Sequence, residues 1–447
     1  MNLSAWLELL EQRHPKTIDL GLDRCGAVYR RLGSPKPADK IFTVAGTNGK
    51  GSTVAYLAAM STALGQRCGT YTSPHILRFN ERITIMGEAV TDDCLVRAFA
   101  QVEAAREDVS LTYFEFTTLA ALLILKQAEL DCVVLEVGLG GRLDTVNLVD
   151  TDCAVITPIG LDHQDFLGPD LQSIATEKAG IMRPGTPVVL TEAHPPAVVL
   201  QIALDLKAPV CRRGDGFDLR RCNDNPDTVL EFTLGGQVMQ VAPPAMAGNH
   251  QLDNLAAALA ALSLLNPGCF ANAAQISDAI RGCKVPGRLQ KVCSQPEILL
   301  DVGHNELAAQ AVAAFLREKG KTNTACVLAM LADKSAEEVA RALGGVCSRW
   351  LCAGSPGVRG QSGSVLAGRV QSTLPGARVS AFGSLDDALQ SAVADLAENQ
   401  TILVFGSFST ASDAMGWLQN SMKRDRHDAA RITSREPETD PRDKPNG

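Results

Sequence analysis

The stretch IFTVAGTNGKGST, residues 41–53, constrains this chain more than any other. An apolar, β-branched run ends at Gly46. Gly46, Gly49 and Gly51 then bracket Lys50, and a helical pattern follows. The order is strand, glycine turn, helix start. Glycines let backbone N–H groups wrap a phosphate, the helix start adds partial positive charge, and Lys50 adds a full charge for the outer phosphates. The match to the general P-loop pattern is imperfect. Val44 stands where that pattern has its first glycine, and Gly51 separates Lys50 from Ser52. A tight turn without nucleotide has little use for a lysine flanked by glycines. Thr47, Asn48, Gly49, Lys50, Gly51 and Ser52 are therefore candidate nucleotide contacts, with the reaction left open.

Around this loop the chain alternates short β-branched runs with longer helical patterns. Strands are expected at 41–45, 132–137, 153–157 and 187–190, and helices at 52–64 and 115–130. This alternation predicts βαβ units and a mostly parallel sheet. A second series of buried strands is expected at 297–302, 325–330, 350–353 and 401–405, with a helix over 307–319 closed by Gly320. A linker containing Pro286 and Gly287 separates the two series. The expected domains are 1–285 and 286–422, followed by a disordered tail, 423–447, in which charges of both signs dominate.

A chain of 447 residues has room for two or three cores. Its net charge of -8 argues against general binding to nucleic acid or membrane surfaces, so an anionic ligand must be held by local features. The 13 cysteines are scattered with no C-x-x-C pair, which fits small buried residues in a reducing compartment. No basic-then-apolar leader and no apolar stretch long enough to span a bilayer is read. A cytoplasmic protein is expected.

Other polar residues fall at expected strand ends. Glu136 ends an otherwise apolar run, where the ligand crevice of an α/β sheet lies and where a carboxylate suits Mg²⁺ on phosphates. A water-facing edge-strand glutamate is the alternative. His163 follows the next strand as a metal ligand or substrate orienter, although a histidine there is often structural. Lys178 sits in SIATEKAGIMRPG, and a helical lysine is ordinarily a solvated charge. In TSPHILRFNERI, Ser73 offers a hydroxyl, His75 an imidazole and Arg82 a carboxylate-binding fork. Near the domain boundary stand Asn254, Arg288, Asp301, His304 and Asn305. Helix capping is the plain reading for Asn254 and Asp301, but pockets form between domains.

Taken together, AGTNGKGS, TSPH, LTYFEFTTLAAL, LEVGLGGRLD-x-x-N, LDH, EKAGI, HQxxNxxAA, PGR, DVGHN and VFGSF stand in the order found in folylpolyglutamate synthases. The chain resembles the bacterial bifunctional dihydrofolate synthase/folylpolyglutamate synthase family, relatives of the Mur ligases, over about residues 1–420. The resemblance implies an α/β, Mur-ligase-like fold, with a P-loop parallel-sheet ATPase domain before a smaller Rossmann-like domain. It implies that Thr47 to Lys50 cradle ATP, and that Ser73, Glu136 and His163 hold two magnesium ions. Lys178 would be carbamylated, which reverses its plain reading. Asn254, Arg288, Asp301 and His304 would meet the nucleotide across the domain gap. The pterin site would be lined by Thr17, Ile18, Asp19 and Leu20, by Leu111, Thr112, Tyr113 and Phe114, and by Arg142, Leu143 and Asp144. Lys50, His163 and Lys178 would carry the chemistry.

The implied reaction adds L-glutamate to dihydropteroate and to tetrahydrofolates. ATP is cleaved to ADP through an acyl phosphate, in a monomer using a monovalent cation. Two departures stand out: Thr145-Val146 replaces Ala-Thr before Asn147, and Ser409 replaces a common histidine. Neither falls on a phosphate or metal residue, so they bear on fine substrate contacts and not on the reaction. The rivals are a Mur-type ligase for a nucleotide-sugar peptide, a nucleotide switch without chemistry, and a small-molecule kinase. The first would carry a further domain, the second leaves Lys178 and His163 unexplained, and the third lacks a hydroxyl-activating base.

Overall fold

The computed structural model describes residues 1–16, 18–222, 229–396 and 400–433, with backbone alone over 421–433. Seventeen strands are described: β1 Ala38–Ala45, β2 Cys68–Tyr71, β3 Ile83–Ile85, β4 Glu88–Ala89, β5 Leu130–Glu136, β6 Cys153–Ile156, β7 Val188–Leu190, β8 Val210–Arg212, β9 Phe217–Arg221, β10 Leu230–Leu234, β11 Gln237–Val241, β12 Gln290–Ser294, β13 Glu297–Asp301, β14 Thr324–Leu328, β15 Cys347–Ala353, β16 Arg378–Phe382 and β17 Ile402–Phe405.

The first eight form one sheet in the order β4-β3-β2-β5-β1-β6-β7-β8. Its strands from β2 to β8 pair in parallel. Strand β1 lies at the centre because its run from Ile41 to Ala45 is buried on both faces, as an interior parallel strand requires. Val44 pairs with Glu136 of β5, and Ala45 pairs with Ile156 of β6. Three strands thus end level with one another, and the loops after them share one crest.

The Lys50–Ala63 helix buries Val54, Leu57 and Met60 together with the alanine-rich His250–Leu265 helix. An antiparallel sheet, β11-β10-β9, closes this core with Phe217, Phe232 and Met239. It is not among the sequence expectations: its strands are short and half solvated. The helix expected over 115–130 runs instead from Tyr113 to Gln127. Thr112 caps it at the start, Glu129 turns the chain at φ 51°, and Leu130 already belongs to β5.

The remaining strands form a six-stranded sheet, β12-β13-β17-β14-β15-β16, parallel except at β12. Trp350 and Phe405 are fully buried in its core. The connector from the end of the Ala273–Gly282 helix to Gln290 spans the expected boundary. At the C-terminal end the tail expectation needs correction. Backbone from Phe408 continues as helix to Thr433, because no helix-breaking proline intervenes before Pro437. The rest of the expected tail lies outside the described residues. All 13 cysteines are free thiols. Among the described residues no helix is long and apolar enough to cross a membrane.

Candidate functional site

The phosphate loop leaves β1 at Gly46 and enters the helix at Lys50. It is fastened to the loop after β6: the Thr47 amide donates to the Pro158 carbonyl at 2.8 Å, and the Thr47 hydroxyl donates to the Gly160 carbonyl at 3.0 Å. Gly49 caps the helix at φ 91°. A Cβ there would lie 2.3 Å from Asn254 Oδ1, so only glycine lets the two elements meet. Lys50 Nζ donates to the carbonyls of Gly46 and Thr47 at 3.1 and 3.2 Å. Burial lowers its pKa while Glu136 and Asp162 oppose that shift.

Glu136 ends β5 beside this loop, buried at 5% exposure, so the water-facing alternative does not hold. Burial raises its carboxyl, countered by Lys50 and by the Ser73 amide, which donates to Oε2 at 3.1 Å. His163 adopts φ 53°, ψ 37°, a left-handed conformation uncommon outside glycine. Burial pushes its imidazole down to about 4, which keeps it neutral. Lys178 is only 4% exposed, and its Nζ donates to the Gly46 carbonyl at 2.9 Å. Burial first and then Lys50 push its amine down to about 7, so it is not a solvated charge.

Residues of the second sheet and its connector complete the site. Asp301 ends β13, and its carboxylate accepts from the amides of Leu289 and Gly303, both at 2.8 Å. Asn305, not Asp301, caps the Glu306–Glu318 helix. Asn254 lies inside its helix, whose cap position is Asn249, and donates to Gln251 Oε1 at 3.2 Å. Neither is therefore a helix cap. Arg288 lies over the Phe408 ring at 5.3 Å and close to Gly51.

A cavity of about 760 Å³ is lined by the loop from Gly46 to Ser52, by Ser73, Glu136, His163, Lys178 and Asn254, and from the other side by Arg288, Asp301 and His304. Every candidate nucleotide, metal and catalytic residue thus meets in one space. Among the described residues no three His, Cys, Asp or Glu side chains form a metal cluster. The donors are one carboxylate, one hydroxyl and one neutral imidazole. That set fits Mg²⁺, which commonly completes its shell with phosphate oxygens and water.

The expected pterin segments do not line this cavity. Thr17 lies outside the described residues. Asp19 pairs with Arg24 at 2.7 Å, and Arg24 also pairs with Glu115 at 3.0 Å, tying the first segment to the second. Leu20 packs with Leu139 in one cluster, and Phe114 lies against Gly138, whose Cβ would meet its ring at 2.4 Å. Leu139 and Gly138 line the cavity, so the segments adjoin it. Leu111 is 1% exposed in the core, and Thr112 spends its amide and hydroxyl in a capping box with Glu115. Asp144 is likewise committed, accepting from the amides of Leu139 and Val146, with burial pushing it up to about 6. Arg142 pairs with Glu177 at 2.7 Å, and Leu143 is half-buried. Arg82 donates to His75 Nδ1 at 2.9 Å and lies over the Phe79 and Tyr113 rings, so its fork serves packing.

Sequence reasoning missed Lys334, and it named Arg24 only as the end of the segment TIDLGLDR, without a role. Both are single basic residues in polar surroundings, and neither carries a local signal.

Two family models match: the Mur ligase middle domain over residues 44–262, and the Mur ligase glutamate ligase domain over residues 287–408. The chain is 40% identical over 415 residues to the Escherichia coli protein named dihydrofolate synthase/folylpolyglutamate synthase, covering 92% of this chain and 94% of that one. This chain belongs to the dihydrofolate synthase/folylpolyglutamate synthase family of Mur ligases. A Haemophilus influenzae protein of that family is 37% identical over 433 residues, covering 92% and 96%. A solved structure described as E. coli FolC in complex with DHPP and ADP matches at TM-score 0.87 with 38% identity, covering 94% of this chain and 99% of that chain. A Yersinia pestis family structure complexed with AMPPNP and Mn ion matches at TM-score 0.83 with 39% identity, covering 94% and 98%. Membership in this family accounts for the α/β architecture of two parallel sheets with a shared cavity.

Proposed function

We propose that this chain is an ADP-forming, ATP- and Mg²⁺-dependent ligase. It adds L-glutamate to dihydropteroate, forming dihydrofolate, and to tetrahydrofolates, forming polyglutamates. The observation that carries this reading is the single cavity in which Lys50, Glu136, His163 and Lys178 face Asp301 and His304. Family structures that hold ADP, or AMPPNP with Mn ion, support the nucleotide and divalent metal. A family structure with L-glutamate bound supports the amino acid.

A carboxylate is a poor electrophile. Transfer of the γ-phosphoryl group makes it an acyl phosphate and releases ADP. The neutral amine of glutamate then attacks the acyl carbon, phosphate leaves, and one proton is lost as the amide forms. Positioning and charge neutralisation dominate such a reaction. Lys50 and the loop amides neutralise the triphosphate. Ser73, Glu136 and neutral His163 hold Mg²⁺, which supplies Lewis-acid charge stabilisation. Burial pushes the Lys178 amine down to about 7, so its neutral form is accessible at physiological pH; that amine can add CO₂ and lose a proton to give a carbamate, converting a cation into a carboxylate-like ligand. Such a carbamate would serve as a ligand for a second Mg²⁺, and a monovalent cation belongs to the same reading. Asn254, Arg288 and Asp301 contact the nucleotide, and the roof carrying His304 excludes water from the acyl phosphate. Ile18 to Leu20, with Tyr113, Phe114 and Arg142, bind the pterin end. The same reading makes the enzyme a cytoplasmic monomer of two domains, divided near residue 285.

The test is ADP release with Mg-ATP and L-glutamate, comparing dihydropteroate, tetrahydrofolate and no acceptor. Turnover with both acceptors establishes the bifunctional ligase. Turnover with tetrahydrofolate alone makes it a chain-extending enzyme. Turnover with neither refutes the substrate reading.

A further inference from the structure

Asp162 belongs to the loop after β6, next to His163. Its own loop supplies one partner, the His163 amide, which donates to Oδ1 at 2.8 Å; its other partners come from the other sheet's domain. Lys334 Nζ donates to its Oδ1 at 2.5 Å, Asn305 Nδ2 donates to Oδ2 at 3.2 Å, and His304 Nε2 lies 3.4 Å from Oδ2. Asn305 also bonds Asn48 of the phosphate loop at 2.8 Å. Lys334 is 8% exposed, unusual for a lysine and tolerable only because its charge is paired.

The loop that carries Lys334 is braced from behind. Arg369 donates to the Lys334 carbonyl at 2.8 Å while gripping Glu337 through two bonds of 2.7 Å. Gln361 donates to the carbonyls of Met330 and Leu331. A flexible surface lysine would not need such support. The arrangement is a stiff arm that reaches across the cleft and ends on a single carboxylate.

We propose that Lys334 is a positioning residue that locks Asp162. The pair holds His304 and Asn305 over the phosphate loop, so that the roof is shut while the acyl phosphate exists. This rests on the ligase reading above. With the lock absent, the roof opens more often, water reaches the acyl phosphate, and ADP is released without amide.

The experiment compares ADP released with glutamyl product formed, using full-length wild type, Lys334→Met, Lys334→Arg, Asp162→Asn and the Lys334→Met/Asp162→Asn double variant. Wild type must first turn over; its failure would overturn the ligase reading itself. For Lys334→Met the expected result is product formation reduced about 10- to 100-fold, as for residues that orient ligands from behind. ADP should exceed product, and Lys334→Arg should restore most of the coupling. The double variant should be no worse than the poorer single one. Wild-type coupling in Lys334→Met, equal loss of ADP and product with no rescue by arginine, or multiplicative losses in the double variant would each overturn the proposal. If Lys334→Met fails to fold by circular dichroism, Asp162→Asn carries the same test, with excess ADP expected and one-to-one coupling refuting.

Discussion

Lys178 yields the sharpest prediction, because its environment makes a stability signature separate from activity. Its amine falls from 10.5 to about 7, with burial the first cause and Lys50 the second. At 1.36 kcal/mol per unit, the charged form is disfavoured by up to about 5 kcal/mol in the folded state. Between about pH 7 and 10.5 the unfolded chain therefore binds one more proton than the folded chain, so wild-type stability rises with pH through that window. Lys178→Met keeps the length and removes the titration. Loss of the 2.9 Å bond to the Gly46 carbonyl lowers the variant at both pH values, so the change in the gap between them is what is read. In bicarbonate-free buffer, urea unfolding of both proteins at pH 7 and pH 10 should show the variant's relative stability falling by about 2–4 kcal/mol at the higher pH. The lower figure allows for relaxation and water entry around the buried amine. The variant should also lack ligase activity at both pH values. A stability gap that stays constant from pH 7 to 10 would refute the depressed pKa, and an active variant would refute the carbamate.

Lys50→Ala should slow ADP release by at least ~10²-fold if its charge is used in the transition state, and steady-state kinetics near the wild-type rate would exclude that role. Glu136→Gln should weaken Mn²⁺ binding by calorimetry in the presence of AMPPNP; unchanged affinity would remove Glu136 from the metal site. Because His163 stays neutral down to about 4, the kcat profile should show no inflection near 6.5 from this residue, and the Lys334→Arg enzyme should share that flat region. Gly49→Ala forces a Cβ to within 2.3 Å of Asn254 Oδ1 at φ 91°, so nucleotide affinity should fall about tenfold or more. Wild-type affinity by fluorescent-nucleotide titration would show that the loop relaxes.

Local chemistry made the phosphate loop readable. Glycine, lysine and a helix start must be contiguous in the chain to do their work, so the motif around Lys50 is complete within a few residues. Apolar alternation likewise exposed both parallel sheets, since interior strands need unbroken β-branched runs. Glu136 was legible as a strand-end carboxylate. Lys178 was not: an isolated helical lysine reads as solvated, and only the family resemblance singled it out. Its burial beneath Gly46 comes from the packing of the Leu171–Ala179 helix under the loop. Asp301 and Asn254 looked like helix caps because capping is the commonest local use of those residues, yet Asp301 accepts from Leu289 of the connector and Asn254 sits inside its helix, bonded to Gln251 and meeting the phosphate loop at Gly49. The short β9-β10-β11 sheet and the exact helix ends depended on packing and on single turn residues such as Glu129.

The sequence by itself therefore determined the nucleotide loop, the two α/β units and the family. Each is encoded in residues close along the chain or in motifs held in order. Only the tertiary structure decided which charges are buried, which face the cavity, and that Lys334 reaches Asp162 across 172 residues. Burial and pairing arise when distant segments exclude water together, and a pKa or an ion pair has no local pattern to announce it.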